Sequence, residues 1–191
     1  ILYVQNDDDD AFWKPLLKDA VTVKKNSGVI DTLVTANVGA GFLAVRHKYD
    51  TAIDLEKTPL FQLPVDVSFD SKVNVHMLID EITYIIQLTA PLAKAKSLLS
   101  SEFEQGEQFR IPNLENSFMS SRLLAKHQGD MIRFNLYKRL KQMGHTGDFK
   151  LHSITVGNTS NKDYLLAGNG GNNAGSQYGL GRPRFLKSNS E

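Results

Sequence analysis

Alternating apolar and polar residues mark the centre of the chain. From Gln62 to Leu78 the sequence QLPVDVSFDSKVNVHML places apolar side chains at every second position on both sides of a polar break. A period of two is typical of strands that bury one face. We therefore predict a β-hairpin with its turn at Asp70-Ser71, in which both strands place their apolar residues on the same core.

Apolar residues at helical spacing predict helices on both sides of this hairpin. Phe12, Leu16 and Ala20 recur every four residues, and later segments repeat such a stripe up to Gly144, a residue type that favours a left-handed helix end. Proline and glycine positions set the expected boundaries. Helices are predicted over residues 11–24, 90–101, 117–129 and 130–143.

The remaining segments divide into strands, connections and a terminal arm. Residues 29–38 fit either a helix or a strand, and 49–59 is expected to be a polar connection. Strands are expected over 42–47, 82–88 and 148–156, the last paired with 163–167. Residues 168–191 are rich in Gly, Asn and Ser and predict a flexible or partner-docking arm. The expected fold is one α+β domain over 1–167, with an antiparallel sheet around the central hairpin and flanking helices.

Composition indicates which class of protein this is but says little about its function. The chain is 41% hydrophobic and 23% charged, as in globular proteins, and it lacks an apolar run of the roughly 20 residues that a membrane span needs. It has no Cys, which excludes disulfides and thiolate metal sites. Because it begins with Ile1 rather than Met, a preceding targeting segment is compatible with the sequence, and no localisation is assigned.

Charge is divided unevenly along the chain. Residues 1–109 hold 10 Lys/Arg and 16 Asp/Glu, a balance of −6, whereas residues 110–191 hold 12 and 5, a balance of +7, which together give +1. Two interpretations stay open. The two parts neutralise each other within one molecule, or they recognise another copy or an anionic partner.

Motifs for catalysis or cofactor binding are not recognised. The His residues lack zinc-type spacing, and the run Asp7–Asp10 lacks the Gly and distal Glu of a calcium loop. Gly39-Ala40-Gly41 meets only a relaxed dinucleotide pattern and is interpreted as a structural turn. The carboxylates of Glu102, Glu104 and Glu107 are interpreted as a solvated acidic loop. We expect no metal, nucleotide or redox cofactor.

The favoured hypothesis is a non-enzymatic assembly protein that forms a homo-oligomer, such as a ring, tube or shell subunit of a virion or secretion-like particle. The alternative is a nucleic-acid- or phosphate-binding accessory protein with a basic C-terminal surface. A third is an enzyme whose site forms only in the fold. Sequence-specific DNA reading is disfavoured, because apolar residues crowd the start of the second predicted helix. The candidates for partner or phosphate binding are Arg122, Lys126, Arg133, Lys138, Arg139, Lys141, Tyr178, Arg182, Arg184 and Phe185.

Overall fold

Two largely antiparallel β-sheets face each other across one hydrophobic core. The computed structural model describes residues 11–16, 18–37, 44–67, 71–88, 108–110, 130–157 and 173–187. Within them lie one helix, α1 (Leu136–Gln142), and the strands β1 (Lys14–Pro15), β2 (Val21–Lys25), β3 (Thr32–Ala36), β4 (Val45–Asp54), β5 (Leu60–Asp66), β6 (Asn74–Ile79), β7 (Ile82–Gln87), β8 (Gln108–Arg110), β9 (Asp130–Asn135), β10 (Lys150–Gly157), β11 (Gln177–Leu180) and β12 (Arg184–Leu186).

Sheet I has the strand order β1-β4-β10-β6-β7-β8, with a parallel pair only at β7–β8. In sheet II, β5 pairs with β9 along one side and with both β11 and β12 along the other. Leu180 lies opposite Val65 and Arg184 opposite Gln62, so β11 and β12 follow one another along β5. The sheet continues from β11 to β3 and β2. Strands from distant parts of the sequence therefore build its centre.

The core lies between the sheets and receives side chains from both. Apolar residues at alternate positions of β5, Phe61, Leu63 and Val65, are completely buried, as are Val75 and Met77 of β6. All of them belong to one cluster that also contains Trp13, Tyr84, Ile154 and Tyr178. Each large side chain buried in this way contributes about 1.5–3 kcal/mol to folding. The core is what fixes the two sheets against each other.

The expected α+β fold with flanking helices is wrong, because the described elements form a sandwich-like pair of sheets. The central hairpin is also wrong, since β5 belongs to sheet II and β6 pairs with β10 and β7 in sheet I. The alternating pattern did indicate which residues are buried. Leu63 and Met77 belong to one core, but they reach it from opposite sheets.

Strands replace the predicted helix over 11–24 and the first part of the predicted helix over 130–143, for the same physical reason. In β2, Val21 and Val23 are buried at alternate positions, and in β9 Ile132 is buried while the next residue, Arg133, is exposed; alternate burial is the period of a strand rather than of a helix. Residues 11–24 contain β1 and β2 instead of a helix, and residues 130–143 begin with β9. Helix α1 starts only after Asn135, whose side-chain oxygen accepts the backbone N–H of Lys138 at 2.8 Å.

Strands form in most of the other segments for which the sequence predicts a structure. Residues 29–38 contain strand β3, 82–88 contains β7, and Gly144 has the left-handed φ of +88° expected after a helix. Strand β4 continues to Asp54, through half of the segment expected to be a connection. β10 forms as predicted but pairs with β4 and β6. Residues 177–180 and 184–186 of the predicted arm are strands of sheet II.

Other expectations lie outside the described residues. They are the helices over 90–101 and 117–129, the glycine turn at 39–41, the acidic residues at 102–107 and the strand over 163–167. In the part of the chain that is described, α1 is the one helix, and it is too short to cross a membrane.

Candidate functional site

A stack of three side chains stands where the edge strand β1 meets the connection between β11 and β12. The imidazole of His47 lies parallel to the ring of Phe12, with 3.6 Å between their centroids and 5° between their planes. The guanidinium carbon of Arg182 lies 4.9 Å from the centre of the same ring. Because the stacked His47 covers one face, Arg182 occupies the other. Both faces of Phe12 are thus occupied, and a charged group is held at a defined place.

Backbone hydrogen bonds fix this stack. The Nδ1 atom of His47 lies 2.9 Å from the carbonyl oxygen of Phe12, and since a carbonyl only accepts, Nδ1 carries the hydrogen. The indole Nε1 of Trp13 donates to the carbonyl of Gly181 at 3.1 Å. The amide of Gly181 donates to the carbonyl of Pro64 at 2.9 Å. The residue next to Arg182 is therefore anchored from both sides.

Gly181 is required by close packing. A Cβ atom at this position would overlap the carbonyl oxygen of Val29 and would lie 2.8 Å from two ring carbons of Pro64. Backbone atoms cannot yield to such an overlap as the tip of a flexible side chain can. The lack of a side chain at Gly181 therefore sets the path of the chain into Arg182.

A pocket of about 640 Å³ opens beside the stack, a volume typical of small-ligand sites. It combines residues from the start of β1, the first half of β4 and the β11–β12 connection. We call it the basic pocket, because four of its side chains are Lys or Arg and one is acidic. Its lining residues are Ala11, Phe12, Lys14, Pro15, Leu16, Arg46, His47, Lys48, Asp50 and Arg182.

Strand pairing brings three of these cations onto one face of sheet I. Lys14 lies directly opposite Arg46 in the β1–β4 pair, and Lys48 follows two residues later on the same strand. Side chains directly opposite on antiparallel strands have Cβ atoms about 4.5–5.5 Å apart, and like charges there destabilise the pair. Arg46 is half-buried and donates its Nε to the Thr155 hydroxyl at 2.6 Å. The cations repel one another, and an anion in the pocket would relieve that repulsion.

Three of the four cations take no part in the ion pairs found among the described residues. Those ion pairs join His145 to Asp80 and Lys150 to Asp54, and neither includes Lys14, Lys48 or Arg182. Lys14, Lys48 and Arg182 are exposed to solvent. The phenol of Tyr49 lies next to the stack, and burial raises its pKa, so it stays neutral around pH 7 and adds no negative charge. The arrangement can hold a phosphate or carboxylate by charge and hydrogen bonding.

A second polar cluster consists of Tyr84, His145 and Asp80 and has the order of a catalytic triad. The Tyr84 hydroxyl lies 2.6 Å from His145 Nδ1, and His145 Nε2 lies 2.7 Å from Asp80 Oδ2. Desolvation tends to raise the pKa of Asp80, but hydrogen bonds from His145 and from the amides of Lys150 and Phe149 outweigh it and hold that pKa below its usual value.

Burial argues that this cluster is structural. Tyr84 is only 2% exposed and the His145 side chain is not exposed at all, so a substrate cannot reach the hydroxyl that such a triad would activate. The adjacent pocket of about 420 Å³ is lined by Asp80, Glu81 and Asp148 among others. Within the described residues, no group of three His, Cys, Asp or Glu side chains could hold a metal ion. The cluster ties the β6–β7 turn to the segment before β10.

The candidates named from the sequence are scattered over the fold, and the basic pocket includes only Arg182 among them. Tyr178 is completely buried, and its hydroxyl donates to the Val156 carbonyl at 2.9 Å. Phe185 packs against the ring of Phe61, with centroids 5.4 Å apart. Lys138, Arg139 and Lys141 lie on α1, Arg133 and Arg184 lie on β9 and β12, and Arg122 and Lys126 lie outside the described residues.

Sequence reasoning missed the larger part of the pocket. Lys14, Arg46 and Lys48 come from the part of the chain with net negative charge, which had suggested an acidic surface. The one available signal was Arg46-His47-Lys48, where a period of two places two cations on the same face of a strand. Nothing in the sequence indicates that Lys14 pairs opposite Arg46.

Comparisons with known proteins give no family. No family model and no curated protein matches the chain. One similar solved structure is the xyloglucanase domain of NopAA, a type three effector from Sinorhizobium fredii, in complex with cellobiose; it is 11% identical, and the match covers 93% of this chain and 99% of that one, with a TM-score of 0.42. Another is CBM28, a carbohydrate-binding module specific for non-crystalline cellulose, at 10% identity, 97% and 94% coverage and a TM-score of 0.37.

Proposed function

We propose that this protein is a non-enzymatic binding protein whose basic pocket holds an anionic group of a partner, with phosphate as the best-matched group. The observation that carries the proposal is the convergence of Lys14, Arg46, Lys48 and Arg182 on one pocket with Asp50 as its single acid. Arginine presents a planar fork of donors that matches phosphate oxygens, and lysine adds mobile point charge.

The lining supports binding rather than turnover. Among its described lining residues there is no Ser, Thr, Tyr or Cys to act as a nucleophile, and the Nδ1 of His47 is engaged with a backbone carbonyl. The one carboxylate among the lining residues, Asp50, is exposed to solvent. Charge and hydrogen bonding are therefore the chemistry that this pocket offers.

A calorimetric titration with sodium tripolyphosphate at low salt tests the proposal. We compare the full chain with the double variant Lys14→Gln/Lys48→Gln, and with Lys138→Gln/Lys141→Gln on α1 as a control that removes the same net charge elsewhere. Losing two charge-assisted contacts of about 1 kcal/mol each weakens binding by roughly tenfold to thirtyfold. The control pair should change it less than threefold.

Thermal unfolding supplies an independent readout. Because Lys14 and Arg46 repel each other, Lys14→Gln should not lower the melting temperature without anion, and tripolyphosphate should stabilise the unaltered protein more than the variant. Absence of binding, or equal weakening by the pocket and control pairs, would reject the basic pocket as the anion site.

Assembly into a homo-oligomer is a second proposal, and the uneven charge along the chain favours it. Among the described residues Val29 is the one large hydrophobic side chain that is exposed, so contacts between copies through these residues would be mainly polar. Light scattering at low and high salt tests it. A monomer mass at both salt concentrations would reject assembly by charge complementarity.

A further inference from the structure

Two more arginines extend the positive charge beyond the basic pocket. Arg182 is followed after one proline by Arg184 on β12, and the Cα atoms of two such residues lie at most about 7 Å apart. Arg184 lies opposite Gln62 of β5, which in turn lies opposite Arg133 of β9. At about 4.8 Å between neighbouring strands, Arg184 and Arg133 are roughly 10 Å apart.

Both arginines lie on the outer face of sheet II. The adjacent Phe185 packs against Phe61, and Phe61 packs against Phe134 at 5.9 Å between ring centres, so these three rings point towards the core. Side chains alternate along a strand, and their neighbours therefore point outwards. Arg184 and Arg133 are both exposed, and neither takes part in the ion pairs found among the described residues.

We infer that a nucleic-acid backbone binds along a basic track formed by the basic pocket, Arg184 and Arg133. This inference rests on the proposed function. The separation from Arg182 to Arg184 runs along the chain and that from Arg184 to Arg133 runs across the strands, so the track measures about 12 Å from end to end, which exceeds a single phosphate. A linear polyanion with regularly repeated charges matches it, and arginine forks suit phosphodiester oxygens.

The track offers charge but no surface for reading bases. Both faces of Phe12 are covered, and Phe185 is packed against Phe61 and Tyr49. Base stacking requires a free aromatic face, so binding by these residues is independent of sequence. The track has six cations, the four of the basic pocket together with Arg184 and Arg133. If each contacts one phosphate, the logarithm of the affinity falls with the logarithm of the salt concentration with a slope of about −4 for a single strand and about −5 for a duplex.

Fluorescence anisotropy with labelled 20-nucleotide oligonucleotides of two unrelated sequences tests the track. The double variant Arg133→Gln/Arg184→Gln should reduce the salt slope for a single strand by about 1.4 and weaken binding about tenfold at low salt. The same variant should bind tripolyphosphate as the unaltered protein does, because the basic pocket is intact. Lys138→Gln/Lys141→Gln is the matched control, and melting temperatures verify that each variant is folded.

The outcomes separate this inference from the proposal on which it rests. If tripolyphosphate does not bind, the pocket itself fails and the track with it. Tripolyphosphate binding together with an unchanged slope in Arg133→Gln/Arg184→Gln would overturn the track alone. Three other results would also overturn the track. They are an equal loss of oligonucleotide affinity in Lys138→Gln/Lys141→Gln, a tenfold difference in affinity between the two oligonucleotide sequences, and equally tight binding of a poly-glutamate peptide. The last result would assign the surface to an acidic protein.

Discussion

Replacing Asp80 with asparagine isolates the contribution of one carboxylate to the stability of the fold. Asp80 sits in the β6–β7 turn with a left-handed φ of +55°, a conformation that asparagine also tolerates, so the change adds no backbone strain. Its Oδ2 accepts hydrogen bonds from His145 and the amide of Phe149, and its Oδ1 accepts one from the amide of Lys150. An amide keeps one acceptor oxygen and turns a donor towards the other partners.

The expected loss follows from these contacts. Hydrogen bonds to a charged group contribute about 1.5–3 kcal/mol each, and the variant loses at least one of them together with the charge. The Asp80 side chain is 20% exposed, so solvent screens part of the interaction. We expect Asp80→Asn to lower the free energy of unfolding by about 1–2 kcal/mol at pH 7.

The pH dependence gives the decisive readout. Because the folded protein holds the pKa of Asp80 below its unfolded value near 4, the carboxylate stabilises the fold above that pH and loses its effect as the pH falls through the folded pKa. Urea unfolding from pH 7 to pH 2.5 should therefore show the difference between variant and unaltered protein shrinking below pH 4. A constant difference over the whole range would refute the electrostatic explanation. Glu81→Gln, an exposed carboxylate in the same turn, is the matched control and should change stability by less than about 0.5 kcal/mol.

Two further substitutions test packing. Gly181→Ala should cost about 1–3 kcal/mol, measured by urea unfolding, because its methyl group meets the Val29 carbonyl and Pro64, and it should also weaken tripolyphosphate binding by displacing the next residue; unchanged stability would contradict the close approach. Tyr178→Phe removes the hydroxyl that is hydrogen-bonded to the Val156 carbonyl and to the backbone of Val45 and should cost about 1 kcal/mol by the same measurement, whereas unchanged stability would show that these hydrogen bonds make no net contribution.

The burial pattern was predictable from the sequence, but the pairing of strands was not. Alternation in β5 and β6 correctly indicates that Leu63 and Met77 point into a core. The same alternation arises when two strands are neighbours in one sheet and when they face each other across a core. Local pattern alone cannot separate these cases, and the hairpin prediction chose the wrong one.

The helix predictions failed over 11–24 and 130–135, because they relied on apolar residues four positions apart and gave too little weight to alternation within shorter segments. Val21 and Val23 alternate in β2, and Ile132 lies in β9, whereas Leu136 begins α1. The candidate site was less predictable still. The pocket depends on Lys14 lying opposite Arg46 in the β1–β4 strand pair and on Arg182, near the end of the described chain, lying over Phe12. No local sequence rule predicts contacts over such separations.

The position of β11 has a consequence for how the protein folds. This strand sits between β3 and β5, so sheet II has no continuous centre until residues 177–180 have been synthesised and have paired with residues 32–35. The hydrogen bond from Trp13 to Gly181 closes a separation of 168 residues. Chains dominated by such distant contacts fold slowly, because a large loop must close before the contacts are gained. Until β11 is in place, the edges of β3 and β5 that it joins lack this partner, and exposed strand edges of this kind favour aggregation of a chain that is still folding.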